Sequence, residues 1–221
     1  MPCPLGRSPS SPGRSPSHPP GFTPAHHGKR LGWAQRTTAG RRGVSELASG
    51  DQGPWLSPYD LDMVRRKVPM VYVEAIPVRQ GPDGDLEAVG MLLRASAESG
   101  LQRSFVSGRV LFHETLREAL ARHVEKDLGP MAFPRLPSTP VPLTVAQYFP
   151  TEGYGFHDPR QHSVSLVYPV PIEGEPTPSD DALDFSWFTL EHCHDPALQA
   201  EMVDGHAQLL CLLLNASGKY A

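Results

Sequence analysis

The chain has 221 residues, a formal net charge of −4, 39% apolar residues and 25 prolines. This length allows one domain of ordinary size plus a tail. No segment approaches the roughly 18 consecutive apolar residues that a membrane-spanning helix needs, and the N-terminus lacks the apolar core of a signal peptide. The three cysteines have no Cys-x-x-Cys spacing, so we expect a reducing, cytoplasmic location.

Residues 1–53 are rich in Pro, Ser, Gly and Arg and are predicted to be a disordered tail. Residues 1–52 carry seven basic and two acidic side chains, about +5, which leaves about −9 for residues 53–221. The tail could be a basic arm that contacts nucleic acid, a linker, or the product of a misassigned start codon; we favour the last two. A start at Val44 would remove most of it. Residues 54–221 are predicted to form a single domain.

Helices and strands are predicted in a mixed order along this domain. Ser57 as N-cap and Pro58 in the first turn indicate a short helix that ends near Lys67. Runs rich in Val, Ile and Tyr, separated by turn residues, indicate strands at 70–79, 86–94, 101–106, 143–149, 162–172 and 185–189, the first two as a hairpin. Further helices are predicted at 113–128, closed by Gly129, and at 195–215. The order is that of an α/β fold with a mixed sheet.

Residues 108–129 contain a spaced set of Gly, Glu and Arg residues. Gly108, Glu114, Arg122, Val124 and Gly129 fall in the register of the Nudix box, the loop–helix–loop that holds metal in hydrolases of nucleoside-diphosphate-linked compounds. The chain therefore resembles the Nudix superfamily, in particular an uncharacterised, divergent bacterial group. The resemblance implies a Nudix-like α/β/α sandwich around a mixed β-sheet, in which Gly108, Glu114, Arg122 and Gly129 shape the box.

Two further segments support this resemblance, which covers about residues 70–215. The run Asp184–Thr189 (Asp-Phe-Ser-Trp-Phe-Thr) resembles the acidic-x-x-Trp-Phe segment that precedes the last Nudix helix. Residues 162–168 resemble a central Nudix strand.

The acidic half of the box departs from the family pattern. The positions that resemble the metal-binding glutamates hold His123, Lys126 and Asp127. His123 and Asp127, at i and i+4, share a helix face and are the candidate catalytic and metal-binding pair. Imidazole with carboxylate suits Mn²⁺ or Zn²⁺ better than Mg²⁺, and the metal could be absent. Lys126 would repel a cation but could face a phosphate directly.

Other side chains are weaker candidates for the same chemistry. Glu118 could join Glu125 in a relocated metal site, but we favour an exposed helix face with a Glu118–Arg122 ion pair. Arg109, His157, Asp158 and Arg160 are candidate substrate-binding residues. In the loop 152–162, Asp158 could instead only set the geometry of a turn.

Two functions remain open on the sequence. One is a divergent Nudix-type hydrolase of a phosphoanhydride small molecule with an altered metal site. The other is a catalytically inactive Nudix-fold module that binds or senses such a ligand. The acidic charge of the folded part makes nucleic acid an unexpected partner, no membrane association is expected, and a homodimer is left open.

Overall fold

The computed structural model describes residues 55–96 and 100–217, so the tail predicted at residues 1–53 lies outside the described residues. The helices are α1 Pro58–Arg65, α2 Leu116–Leu128, α3 Leu190–Cys193, α4 Pro196–Ala200 and α5 His206–Ser217. The strands are β1 Met70–Gln80, β2 Leu86–Ser96, β3 Gly100–Ser104, β4 Val106–Arg109, β5 Ala132–Pro134, β6 Thr144–Phe149, β7 Phe156–His157, β8 Ser163–Gly174 and β9 Asp184–Thr189.

The strands form a mixed sheet with β1 near its centre. On one side β1 pairs with β8 in parallel, and β8 pairs with β6 in the antiparallel sense. On the other side the first half of β1 pairs with β4 and the second half with β2. β3 and β9 extend the sheet from β2. β1 thus changes its antiparallel partner along its length, and β4 is followed in the chain by the loop that leads into α2.

Alternate residues of β1 face two different helical layers. Val73 and Ala75 pack with Leu120 and Val124 of α2. Ile76 and Val78 pack on the opposite face in the core that includes Leu209, Leu210 and Leu213 of α5. This two-residue period is what a strand buried on both faces requires. The predicted α/β/α sandwich is confirmed.

Three predicted boundaries were wrong. α2 begins at Leu116, with Thr115 as its N-cap, because His113 has a φ of 62° and cannot lie in a helix. The third strand divides at Phe105 into β3 and β4, and the N–H of Phe105 bonds to the ring of His206. The single C-terminal helix is instead α4 and α5, separated at Gly205, whose φ is 83°.

None of the helices in the described residues is long and apolar enough to cross a membrane.

Candidate functional site

A half-buried clamp between Glu114 and Arg122 fixes the loop in front of α2. Arg122 donates from Nε to Oε1 of Glu114 at 2.6 Å and from Nη2 to Oε2 at 2.7 Å. Oε2 also accepts the N–H of Leu111, and Arg122 donates a further bond to the carbonyl of Arg109. The hydrogen bonds from Arg122 hold the pKa of Glu114 below its ordinary value, although burial opposes them. Two residues in the register of the box therefore hold the loop together.

Glu118 takes another role than the one expected. Its carboxylate accepts hydrogen bonds from the N–H and the hydroxyl of Thr115, which completes a capping box at the start of α2. The predicted Glu118–Arg122 ion pair was wrong, because Glu118 binds the N-cap residue Thr115 and Arg122 binds Glu114 in the loop.

His123 packs inward beneath the loop. Its Nε2 lies 3.1 Å from the carbonyl oxygen of Arg109, to which it donates when that nitrogen carries the proton. A Cβ on Gly108 would overlap the imidazole, so this packing requires glycine there. Burial lowers the pKa of His123, and the hydrogen bond to Arg109 only partly offsets it. The ring therefore joins β4 to α2.

Asp127 is a buried carboxylate between two cations. Nη2 of Arg94, on β2, lies 2.8 Å from Oδ2, and Nζ of Lys126 lies 3.5 Å from Oδ1. Lys126 also lies 3.4 Å from the exposed carboxylate of Asp181. Oδ1 is buried and accepts no hydrogen bond within residues 55–96 and 100–217. The charge of Asp127 is thus compensated by the protein itself.

A cavity of about 530 Å³ opens beside Asp127. Five of the predicted site residues line it, namely Lys126, Asp127, His157, Asp158 and Arg160. His123, Arg109 and Glu118 are not part of its lining. The cavity also contains residues that were not singled out from the sequence: Arg94, Glu74, Tyr148, Ser104, Ser165 and His206.

The loop at one side of this cavity is organised by Asp158. Its carboxylate accepts hydrogen bonds from the backbone N–H and the guanidinium of Arg160, and from the amide of Gln161. Burial alone would raise the pKa of Asp158, but the bonds from Arg160 lower it overall. Asp158 and Arg160 therefore largely satisfy each other. His157 binds Asp204 through its backbone N–H and has a buried Nδ1 with no partner among the described residues.

The chemistry of these donors does not fit a divalent ion in the box. A Mg²⁺ ion takes several oxygen ligands in octahedral geometry. The first of the three corresponding positions is His123, whose imidazole is hydrogen-bonded to the carbonyl of Arg109. The other two are the ammonium group of Lys126 and the carboxylate of Asp127, which is bound to Arg94. No group of three or more His, Cys, Asp or Glu side chains within residues 55–96 and 100–217 is arranged to hold a metal ion.

The sandwich, with the loop and helix organised by Gly108, Glu114 and Arg122, defines a domain of the Nudix superfamily. Residues 51–219 match the family described as Domain of unknown function (DUF4916), and the chain belongs to that family. No protein of curated function matches the sequence.

Solved structures with this fold include one of high sequence identity. It is described as possible asymmetric diadenosine tetraphosphate (Ap4A) hydrolases from Jonesia denitrificans, with 47% identity over 69% of this chain and 96% of that chain and a TM-score of 0.66. A NUDIX hydrolase from Nitrosomonas europaea is 14% identical over 69% and 91% of the two chains, with a TM-score of 0.49. The NUDIX domain of Shewanella oneidensis NrtR, in complex with ADP ribose, is 17% identical over 68% and 89%, with a TM-score of 0.49.

Proposed function

We propose that the cavity binds a nucleoside-diphosphate-linked or other phosphoanhydride small molecule, and that the protein is a Nudix-fold ligand-binding or regulatory module. The observation that carries this proposal is the enclosure of Asp127 by Arg94 and Lys126. Lys126 stands at a position where the family pattern has a metal-binding carboxylate, and Arg94 on β2 binds the neighbouring Asp127, so both cations are placed to bind phosphate oxygens directly.

Arg94 has the donors that such a ligand needs. Its guanidinium carries five N–H groups in a planar fork. Two hydrogen bonds are made within the described residues, to Asp127 at 2.8 Å and to the carbonyl of Asp181 at 3.4 Å. Its side chain remains 29% exposed while Asp127 is buried. A bound phosphate can therefore accept further hydrogen bonds from Arg94 while the pair with Asp127 is kept.

Lys126 supplies the second positive charge. Its ammonium and the carboxylate of Asp181 are 57% and 65% exposed, so their contact is weak and readily exchanged. A diphosphate has more negative charge than Asp181 and can displace it from Lys126. A nucleotide-linked ligand also agrees with the cytoplasmic location that we infer from the cysteines.

Hydrolysis of a phosphoanhydride is the second candidate function. The Jonesia denitrificans chain, described as a possible Ap4A hydrolase and 47% identical, favours it. The donor set in the box does not, because Oδ2 of Asp127 is bound to Arg94 and the ammonium of Lys126, 3.5 Å from Oδ1, would repel a metal ion there.

The experiment is a titration of the full chain with inorganic pyrophosphate, ADP, ADP-ribose and Ap4A, by calorimetry, in EDTA and then in Mn²⁺ or Mg²⁺. We expect binding in EDTA, no products by mass spectrometry, and an affinity reduced about tenfold by Lys126→Met. Lys67→Met is the matched control, because Lys67 is also exposed but lies outside this cavity. Metal-dependent turnover that disappears in Asp127→Ala would establish the hydrolase instead.

A further inference from the structure

Glu74 is a buried carboxylate in the wall of the same cavity. It lies between Val73 and Ala75 on β1, but it faces the α5 side of the sheet, and its side chain is only 3% exposed. The hydroxyl of Tyr148 donates to Oε2 over 3.4 Å, and Nε2 of His206 lies 3.8 Å from the same oxygen. Both contacts are long. A carboxylate removed from water is costly unless it is well hydrogen-bonded, so Glu74 is incompletely compensated.

His206 cannot approach Glu74 freely, because its ring is held from the other side. Nδ1 accepts the N–H of Phe105 at 3.1 Å, which leaves the proton of a neutral imidazole on Nε2. The rings of Phe105 and His206 are stacked, with centroids 5.1 Å apart. This arrangement fixes the imidazole at its present distance from Glu74.

Further polar atoms without partners line the same cavity. Oγ of Ser104 and Oγ of Ser165 are buried and have no hydrogen-bond partner within the described residues. Both belong to the cavity lining with Glu74. Unpaired buried polar atoms are uncommon in folded proteins, so two of them in the same cavity as an incompletely paired carboxylate indicate a place for polar ligand groups.

The kind of ligand group follows from these side chains. Phe105 is 2% exposed and stacks on His206, so its ring is not open to a base, whereas Glu74, Ser104 and Ser165 offer hydrogen-bonding groups. Sugar hydroxyls donate to a carboxylate and accept from serine hydroxyls, which matches what the wall presents.

We propose that Glu74, with Ser104 and Ser165, binds the vicinal hydroxyl groups of a sugar attached to the diphosphate that Arg94 and Lys126 hold. This inference rests on the proposed function, since the diphosphate anchors the sugar in the cavity. The sugar is either the ribose of the nucleoside or a second sugar on the far side of the diphosphate.

The test compares the wild type with Glu74→Gln, which keeps the shape of the side chain and removes its charge. We expect Glu74→Gln to weaken binding of the sugar-bearing ligand about tenfold and to leave the affinity for inorganic pyrophosphate unchanged. Glu125→Gln is the matched control, because Glu125 is exposed on α2. Ser165→Ala is the second variant, which keeps the test decisive if Glu74→Gln does not fold.

The ligands distinguish the two sources of the sugar. ADP against 2′,3′-dideoxy-ADP tests the nucleoside ribose, and ADP-ribose against ADP tests the distal sugar; the effect of Glu74→Gln should appear in one of these comparisons. If pyrophosphate binds but neither sugar is affected by Glu74→Gln or Ser165→Ala, this inference is overturned and the proposed function stands. If pyrophosphate does not bind the wild type, both fail.

Discussion

Arg94 on β2 and Asp127 on α2 form an ion pair at the wall of the cavity, with 2.8 Å between Nη2 and Oδ2. The carboxylate is buried, whereas the guanidinium is partly exposed to the cavity. The pair therefore joins the sheet to the helix of the box and leaves positive charge facing a ligand. It also occupies the carboxylate that most nearly matches a Nudix metal ligand.

Replacement of Asp127 by Asn should separate its structural effect from its effect on binding. Arg94 and Lys126 would lose their shared counter-charge, so we expect the free energy of unfolding in urea to fall by about 1–3 kcal/mol. Pyrophosphate should bind more tightly, because the two cations no longer have a competing carboxylate. Asp181→Asn, at an exposed partner of Lys126, should change both quantities less. Loss of pyrophosphate binding in Asp127→Asn would contradict this explanation.

The clamp between Glu114 and Arg122 predicts a pH dependence of stability. The pKa of Glu114 is lowered in the folded protein, so its stabilising effect is present above its ordinary value of 4.5 and is lost as the pH falls through the folded pKa. Glu114→Gln should cost about 1–3 kcal/mol near neutral pH, as measured by urea unfolding. The difference from wild type should shrink in acid.

Glu125→Gln provides the control for this measurement, because Glu125 is exposed on the same helix. A constant difference between Glu114→Gln and wild type across the acid range would show that the carboxylate charge does not contribute.

The contact between Gly108 and His123 predicts an energetic coupling. Gly108→Ala places a methyl group in the imidazole and should cost about 1–3 kcal/mol of unfolding free energy. In a His123→Ala background the same substitution should cost less, because the ring has been removed. A double-mutant cycle by urea unfolding measures the coupling. Additive costs would mean that the backbone at Gly108, rather than the ring, resists the methyl group.

Local signals were sufficient to predict much of the fold. Ser57 caps α1 as expected, and the hairpin of β1 and β2 follows turn residues that lie between the two strands. The start of α2 was placed too early, because a left-handed conformation is uncommon in any residue other than glycine and was not expected at His113. The interruption between α4 and α5 was not predicted, although Gly205 lies there, because apolar residues continue on both sides of it.

The site depended on contacts that local patterns do not contain. Arg94 and Asp127 are 33 residues apart and meet only in the folded protein, and His206 reaches Glu74 from the last helix. Lys126 and Asp127 could be found because the register of the box marks their positions. Glu74 had one available signal, since it is the acidic residue within the otherwise mostly apolar run of β1.

Anomalous diffraction from a crystal soaked in Mn²⁺ would show whether Asp127 binds a metal ion or Arg94. We expect no Mn²⁺ at Asp127 and an intact ion pair between Arg94 and Asp127. A Mn²⁺ ion bound by Asp127 and His123, with Arg94 displaced, would contradict it and make the protein a metal-dependent Nudix hydrolase.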